Sequence, residues 1–208
     1  MDFLLPDHFV VASYLDLRSR VVEMIRSVDE SSIQRRVPHC PGWTVGDLVG
    51  HMIGVPEDIV AGRMEGVTSD AWTRAQVERH RGKSASELAD AYGATADDFD
   101  AVLPHIPSPV NSQMVMDAVT HEHDLRFALD SDGARDSDAV TVGVGWLLNM
   151  VDQRRPGFGV RLAESGVSPW ELLRCLGGRR SAVQMDALGL DGALIVELLA
   201  GTPLRPPT

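Results

Sequence analysis

The stretch QMVMDAVTHEHDLRFAL, residues 113–129, decides how this chain is read. At helical period Met114, Ala118, His121, Leu125 and Ala128 fall on one face. Asp117 precedes His121 by four residues, so the two side chains sit one turn apart on that face. A carboxylate and an imidazole turned towards an apolar interior are costly unless each is paired or holds a metal. The stretch therefore predicts a core-facing helix and marks the first place to look for chemistry.

Upstream, the pattern is repeatedly helical. Val10, Tyr14, Leu17, Val21 and Ile25 recur at helical spacing between Asp7 and Val28. Pro38 and Pro41 break the connector that follows. Thr44 and Asp47 have capping-box spacing and open a helix carrying Val45, Leu48, His51, Met52 and Val55. Gly50 and Gly54, four apart on it, let another helix approach its backbone. Residues 62–82 are polar and poorly periodic, and read as a short helix or a flap. Ser84 and Glu87 form a second capping box before a helix through Leu88, Ala91, Tyr92, Thr95, Phe99 and Val102. With the helix of the opening stretch, four long helices in about 130 residues predict a four-helix bundle.

Downstream, 137–151 reads as helical despite Gly143 and Gly145, and 157–163 as a short strand. Ser168, Pro169 and Glu171 open one short helix, Ser181 and Gln184 another. The run 193–199 fits either a strand or a helix. The expected architecture is thus mainly α: a bundle over 1–133 and a small α or α+β extension over 134–208.

Composition bounds the function. The chain has 208 residues, 44% of them apolar, enough for a sizeable core. A net charge of −11 disfavours nucleic acid and anionic membranes as partners. Cys40 and Cys175 are the only cysteines and supply no disulfide framework, so a reducing cytoplasm is the expected location. The N-terminal MDFLLPDHFV lacks the basic start and long apolar run of a signal peptide, and no stretch has the length of a membrane span.

His51 shares a helix face with Leu48 and Val55 and is expected to point towards the bundle centre. Two histidines and one carboxylate from two helices suit a divalent metal with open coordination positions, zinc before iron, nickel or manganese. Asp124, three residues after His121, is placed to orient its imidazole. Spacing alone leaves the alternative open: an Asp–His pair on a helix also serves as hydrogen-bonded structure, and a histidine on an apolar face as a satisfied core residue. Cys40 reads as a small buried hydrophobe, and Trp43 and Trp170 as core anchors.

Three segments carry a resemblance. PHCPGWTVGDLVGHM (38–52) resembles the cysteine-proline-glycine-tryptophan motif of the mycothiol-dependent maleylpyruvate isomerase family, whose helix ends in its first metal histidine. DAVTHEHDLRFAL (117–129) is similar to that family's second signature, and LLRCLGGRRSAVQ (172–184) to its glycine-arginine-arginine-serine segment. The resemblance implies a DinB-like metal-binding bundle with His51, Asp117 and His121 as ligands. Asp117 stands where the isomerase has a glutamate. It further implies a low-molecular-weight thiol, mycothiol, as cosubstrate, and transfer or cis–trans isomerisation of a small electrophilic molecule by a monomer or homodimer. Arg179 and Arg180, just before the helix start at Ser181, become an anion clamp for a carboxylate-bearing substrate; without the resemblance they read as surface salt-bridge partners. Two other functions remain open: a binding or regulatory protein on the same scaffold, and a tailoring or resistance enzyme that uses the metal without a thiol.

Overall fold

The computed structural model describes residues 2–208. Eleven α-helices run through these residues: α1 (Asp7–Ser27), α2 (Val45–Val60), α3 (Asp70–His80), α4 (Ala85–Ala94), α5 (Ala96–Val102), α6 (Val110–Ala128), α7 (Asp138–Arg154), α8 (Phe158–Ala163), α9 (Pro169–Leu176), α10 (Ala182–Ala187) and α11 (Gly192–Leu199). The described residues form no strand, and their only β pairing is an isolated bridge between Arg36 and Thr44. The fold is mainly α, a DinB-like helical bundle whose C-terminal region is helical too.

Two compact units divide the chain. One comprises 14–107 and 121–133 and holds most of α1, all of α2 to α5, and the end of α6. Its core is built by positions the helical spacing marks, Leu17, Val21 and Ile25 from α1, Leu48 from α2, Leu88 and Tyr92 from α4, Phe99 from α5 and Leu125 from α6, together with Ile53 of α2, which the spacing does not mark. Tyr14 meets Phe99 edge-on at 5.4 Å. Arg18 grips Asp100 through two hydrogen bonds of 2.6 and 2.8 Å. The Thr44–Asp47 and Ser84–Glu87 capping boxes both form, satisfying backbone donors that a helix start otherwise leaves unpaired. The long helix expected after Ser84 divides into α4 and α5 at Thr95, whose hydroxyl donates to the Tyr92 carbonyl.

The polar stretch 62–82 contains α3, opened by Ser69, whose side chain accepts the Trp72 N–H. This helix packs on the glycines of α2. A Cβ at Gly50 would meet His80 Cβ at 3.1 Å, and one at Gly54 would meet Gln76 Cβ at 2.4 Å. Only glycine permits that approach.

The other unit comprises, among the described residues, 2–13, 108–120 and 134–208. The two glycines of α7 have packing reasons. A Cβ at Gly143 would meet Val119 Cγ1 at 2.9 Å and Met116 Cα at 3.3 Å, and one at Gly145 the Phe3 carbonyl oxygen at 2.3 Å. The strand expected over 157–163 is a helix, α8, entered through Gly157 at φ +81°. Phe158 and Leu162, four apart, are its buried pair, a helical period hidden in too short a run. The segment after Asp191 is likewise helical, capped by the Asp191 carboxylate on the Leu194 N–H.

The helix of the opening stretch, α6, is buried on more than its apolar face. Glu122 and Asp124 are fully buried, and His123 is 4% exposed. Glu122 balances that burial by accepting from both Arg20 and Arg126 at 2.8–3.2 Å.

Candidate metal centre

The centre is built on α2 and α6. On α2, His51, Gly54 and Asp58 follow the i, i+3, i+7 spacing of one helix stripe, and α3 covers that stripe. His51 is 5% exposed. Its Nδ1 is 2.7 Å from Gln76 Oε1, and Gln76 Nε2 donates to Asp58 Oδ2 at 2.7 Å. Asp58 Oδ1 in turn accepts from Arg63 Nε at 2.6 Å and Arg79 Nη2 at 2.7 Å. Gln76 reaches both ends of this row because Gly54, between them, has no side chain.

On α6, His121 Nδ1 lies 3.3 Å from Asp124 Oδ2, within the same turn. The carboxylate of Asp124 also accepts the Cys40 thiol at 3.5 Å and lies 3.9 Å from His39 Nδ1. Cys40 is half-buried and polar in its contacts, unlike the inert buried hydrophobe expected of it. His39 packs edge-on against Phe127 at 4.7 Å.

The two imidazoles meet at right angles, their ring centroids 5.1 Å apart, and Trp43 lies against both, at 5.4 Å from His51 and 6.2 Å from His121. Continuous helix carries Asp117 one turn before His121. One donor atom from each of His51, Asp117 and His121 lies within 4.8 Å of the other two. A second trio, Cys40, His121 and Asp124, meets the same limit and shares His121. Two nitrogen donors and one carboxylate oxygen make a three-ligand set that suits zinc.

The family model for the mycothiol maleylpyruvate isomerase N-terminal domain matches residues 14–126, more than half of the chain. The chain belongs to that family. The match spans His51, Asp117, His121 and Asp124, and it stops short of Arg179 and Arg180. No curated protein and no solved structure matches this chain.

Arg180, in the unit that holds the C-terminal helices, forms a fork with Glu171, its Nε and Nη2 each 3.1 Å from a carboxylate oxygen, and lies over the Trp170 ring at 5.7 Å. Arg179 Nη1 donates to the Gly177 carbonyl at 2.7 Å. Trp170 also carries Arg135 at 4.5 Å, so this tryptophan is a platform for cations.

A cavity of about 700 Å³ opens beside Trp43, walled by Arg74, Arg81, Lys83 and Asp47 among others. None of the three candidate ligands lines it; Trp43, in its wall, is also the residue that lies against both imidazoles. In its wall His80 is 4% exposed. Burial pushes its imidazole below the ordinary range despite a 3.1 Å hydrogen bond to Glu57. The Lys83 ammonium, 2.9 Å from Nδ1, acts in the same direction as burial.

Gln76, Asp58, Arg63 and Arg79 carry no functional signal in the sequence. Its usable signals were the Gly50–Gly54 pair, which asks for a close partner helix, and Ser69 as the N-cap of that helix.

Proposed function

We propose that this protein is a metal-dependent thiol transferase or cis–trans isomerase of the mycothiol type, acting on a small electrophilic molecule. The observation that carries the reading is the approach of donor atoms from His51, Asp117 and His121 to within 4.8 Å of one another in a chain of this family. His51 and His121 would bind the ion as neutral imidazoles and Asp117 as a carboxylate. Asp117 brings one methylene less than glutamate, so its reach depends on α6 alone. A divalent ion held there supplies the positive charge that keeps a thiol ionised near neutral pH.

The protein's own part is positional. Asp124 orients His121, Gln76 engages His51, and Trp43 shields both rings from water on one side. A thiolate cosubstrate adds to an unsaturated carbon of the substrate. The C–S bond forms as the π bond breaks and its electron pair moves to the neighbouring carbon. A proton from solvent at that carbon gives a conjugate, whereas rotation about the new single bond, return of the pair and expulsion of the thiolate give the isomer. Arg180 enters as the clamp for a substrate carboxylate, a role in which it must exchange Glu171 for the ligand.

Elemental analysis of protein loaded with zinc and then desalted tests the metal. One ion per chain is expected, lost in His121→Ala and retained in His123→Ala. X-ray absorption of the zinc-loaded protein with and without thiol then tests the cosubstrate, by the appearance of a metal–sulfur signal. Thiol-dependent turnover of an unsaturated dicarboxylate, compared between the parent and Arg180→Lys, tests the clamp: the lysine keeps the charge but not the fork. Metal binding without turnover by any thiol would leave a binding protein on this scaffold.

A further inference from the structure

We propose that Asp58 and Gln76 act as a relay that fixes His51 in the Nδ1–H form and so turns Nε2 into its metal-binding atom. The inference rests on the reading of His51 as a ligand, and it assigns a metal-positioning role to two residues that are not ligands.

Donors and acceptors along the row decide the tautomer. Neutral imidazole carries one proton, and whichever nitrogen lacks it can bind a metal. A primary amide presents an acceptor on one side and donors on the other, so Gln76 facing His51 is compatible with either tautomer. What decides its orientation is its second neighbour. Asp58 Oδ2 is an acceptor, 2.7 Å from the amide nitrogen. Arg63 and Arg79 hold the other oxygen of that carboxylate at 2.6 and 2.7 Å. With the NH₂ side committed to Asp58, the amide oxygen faces His51 Nδ1 at 2.7 Å, and that nitrogen must carry the proton. Gln76 is fully buried, Asp58 1% exposed and His51 5% exposed. Bulk water is thus shut out of a row in which every bond direction follows from two guanidinium groups at its rim.

Packing leaves the amide little freedom to move away. Gln76 Cβ and Cγ occupy the space above Gly54, 2.4 and 2.5 Å from where a Cβ would stand. The side chain is wedged between His51 and Asp58, two turns apart on α2. Rotation of the amide about its last bond remains open, and the charge on Asp58 decides against it.

The consequence is a reversal caused by a single atom. In Asp58→Asn, the oxygen that accepts from the arginines is retained and the new amide NH₂ faces Gln76. Gln76 then turns its oxygen to the amide at position 58 and its own NH₂ to His51, which moves the histidine proton to Nε2. The double variant Asp58→Asn with Gln76→Glu restores the original direction, because a carboxylate at position 76 accepts both from the amide at position 58 and from His51.

The test uses the full-length, metal-free chain labelled with ¹⁵N in histidine, at mildly alkaline pH. Long-range proton–nitrogen correlations report which ring nitrogen of His51 is protonated, and zinc affinity is measured by chelator competition. Expected are Nδ1–H in the parent, Nε2–H in Asp58→Asn with zinc affinity reduced about 10- to 100-fold, and Nδ1–H with recovered affinity in the double variant. A parent spectrum showing Nε2–H at His51 overturns the relay even if Asp58→Asn does not fold, as does a folded Asp58→Asn that keeps the parent tautomer and affinity. His51→Ala is the separate control. Zinc binding as tight as the parent's in that variant removes the ligand reading, whatever the tautomer spectra show.

Discussion

The two histidines of the candidate centre are held in different ways. His121 takes its partner from its own helix: Asp124 is three residues on, and α-helical geometry alone brings carboxylate and imidazole to 3.3 Å. His51 takes its partner from α3, 25 residues along the chain, and that partner is itself aligned by Asp58, Arg63 and Arg79. One support is short-range and forms as soon as the helix does. The other exists only after two helices have docked. Metal-binding imidazoles generally carry such partners; the two candidate ligands have a local and a tertiary version side by side.

The sharpest way to break that contrast is at Gly54. Gly54→Ala places a methyl 2.4 Å from Gln76 Cβ and 3.1 Å from its Cα, so α3 must shift. Overpacking of this kind costs about 1–3 kcal/mol. Zinc affinity is expected to fall by about 10- to 100-fold through His51, with the His121–Asp124 pair intact. Thermal denaturation and chelator competition measure the two effects. Loss of stability at unchanged affinity would detach α3 from the centre.

Asp124→Asn probes the local support. The change leaves an amide where a carboxylate faces His121 Nδ1 at 3.3 Å, accepts the Cys40 thiol at 3.5 Å and lies 3.9 Å from His39 Nδ1. A reduction in zinc affinity of about 10-fold is expected, at the lower end of the range for such partners, because α6 still aims the ring. An effect larger than that of Gly54→Ala would invert the comparison.

The smallest effect concerns His80, which docks α3 beside Gly50. Burial lowers its folded pKa below the ordinary value of 6.5. As pH falls through that ordinary value, the unfolded chain binds the proton and the folded one does not. Stability is therefore full above about 6.5 and declines on acidification, until the folded-state pKa is also passed. Denaturant melts across this range should show the slope in the parent and a shallower one in His80→Gln. An equal slope in both would assign the pH dependence to other groups.

Much of the scaffold was legible because its signals are local. Capping boxes at Thr44, Ser84 and Ser181 all form where the residue pattern places them, since each needs only a few consecutive residues. The run 157–163 reads wrongly as a strand because so short a helix shows a single i, i+4 pair, too little to outweigh an apolar cluster. Of the centre, the α6 signature could be read since helical geometry puts Asp117, His121 and Asp124 on adjacent turns.

Gln76 and Asp58 could not be read that way. In sequence, a buried glutamine between Thr73 and Arg79 looks like any solvated helix face, because composition does not record which polar groups will find partners. By itself the sequence determined the long helices α1, α2, α6 and α7, the capping boxes at Thr44, Ser84 and Ser181, the family signature and the Asp124 partner of His121, all consequences of spacing along one chain segment. Tertiary structure alone decided the orientation of His51. Its partner arrives on a different helix, through a gap left by Gly54, and the far end of the row is closed by Asp58 with Arg63 and Arg79.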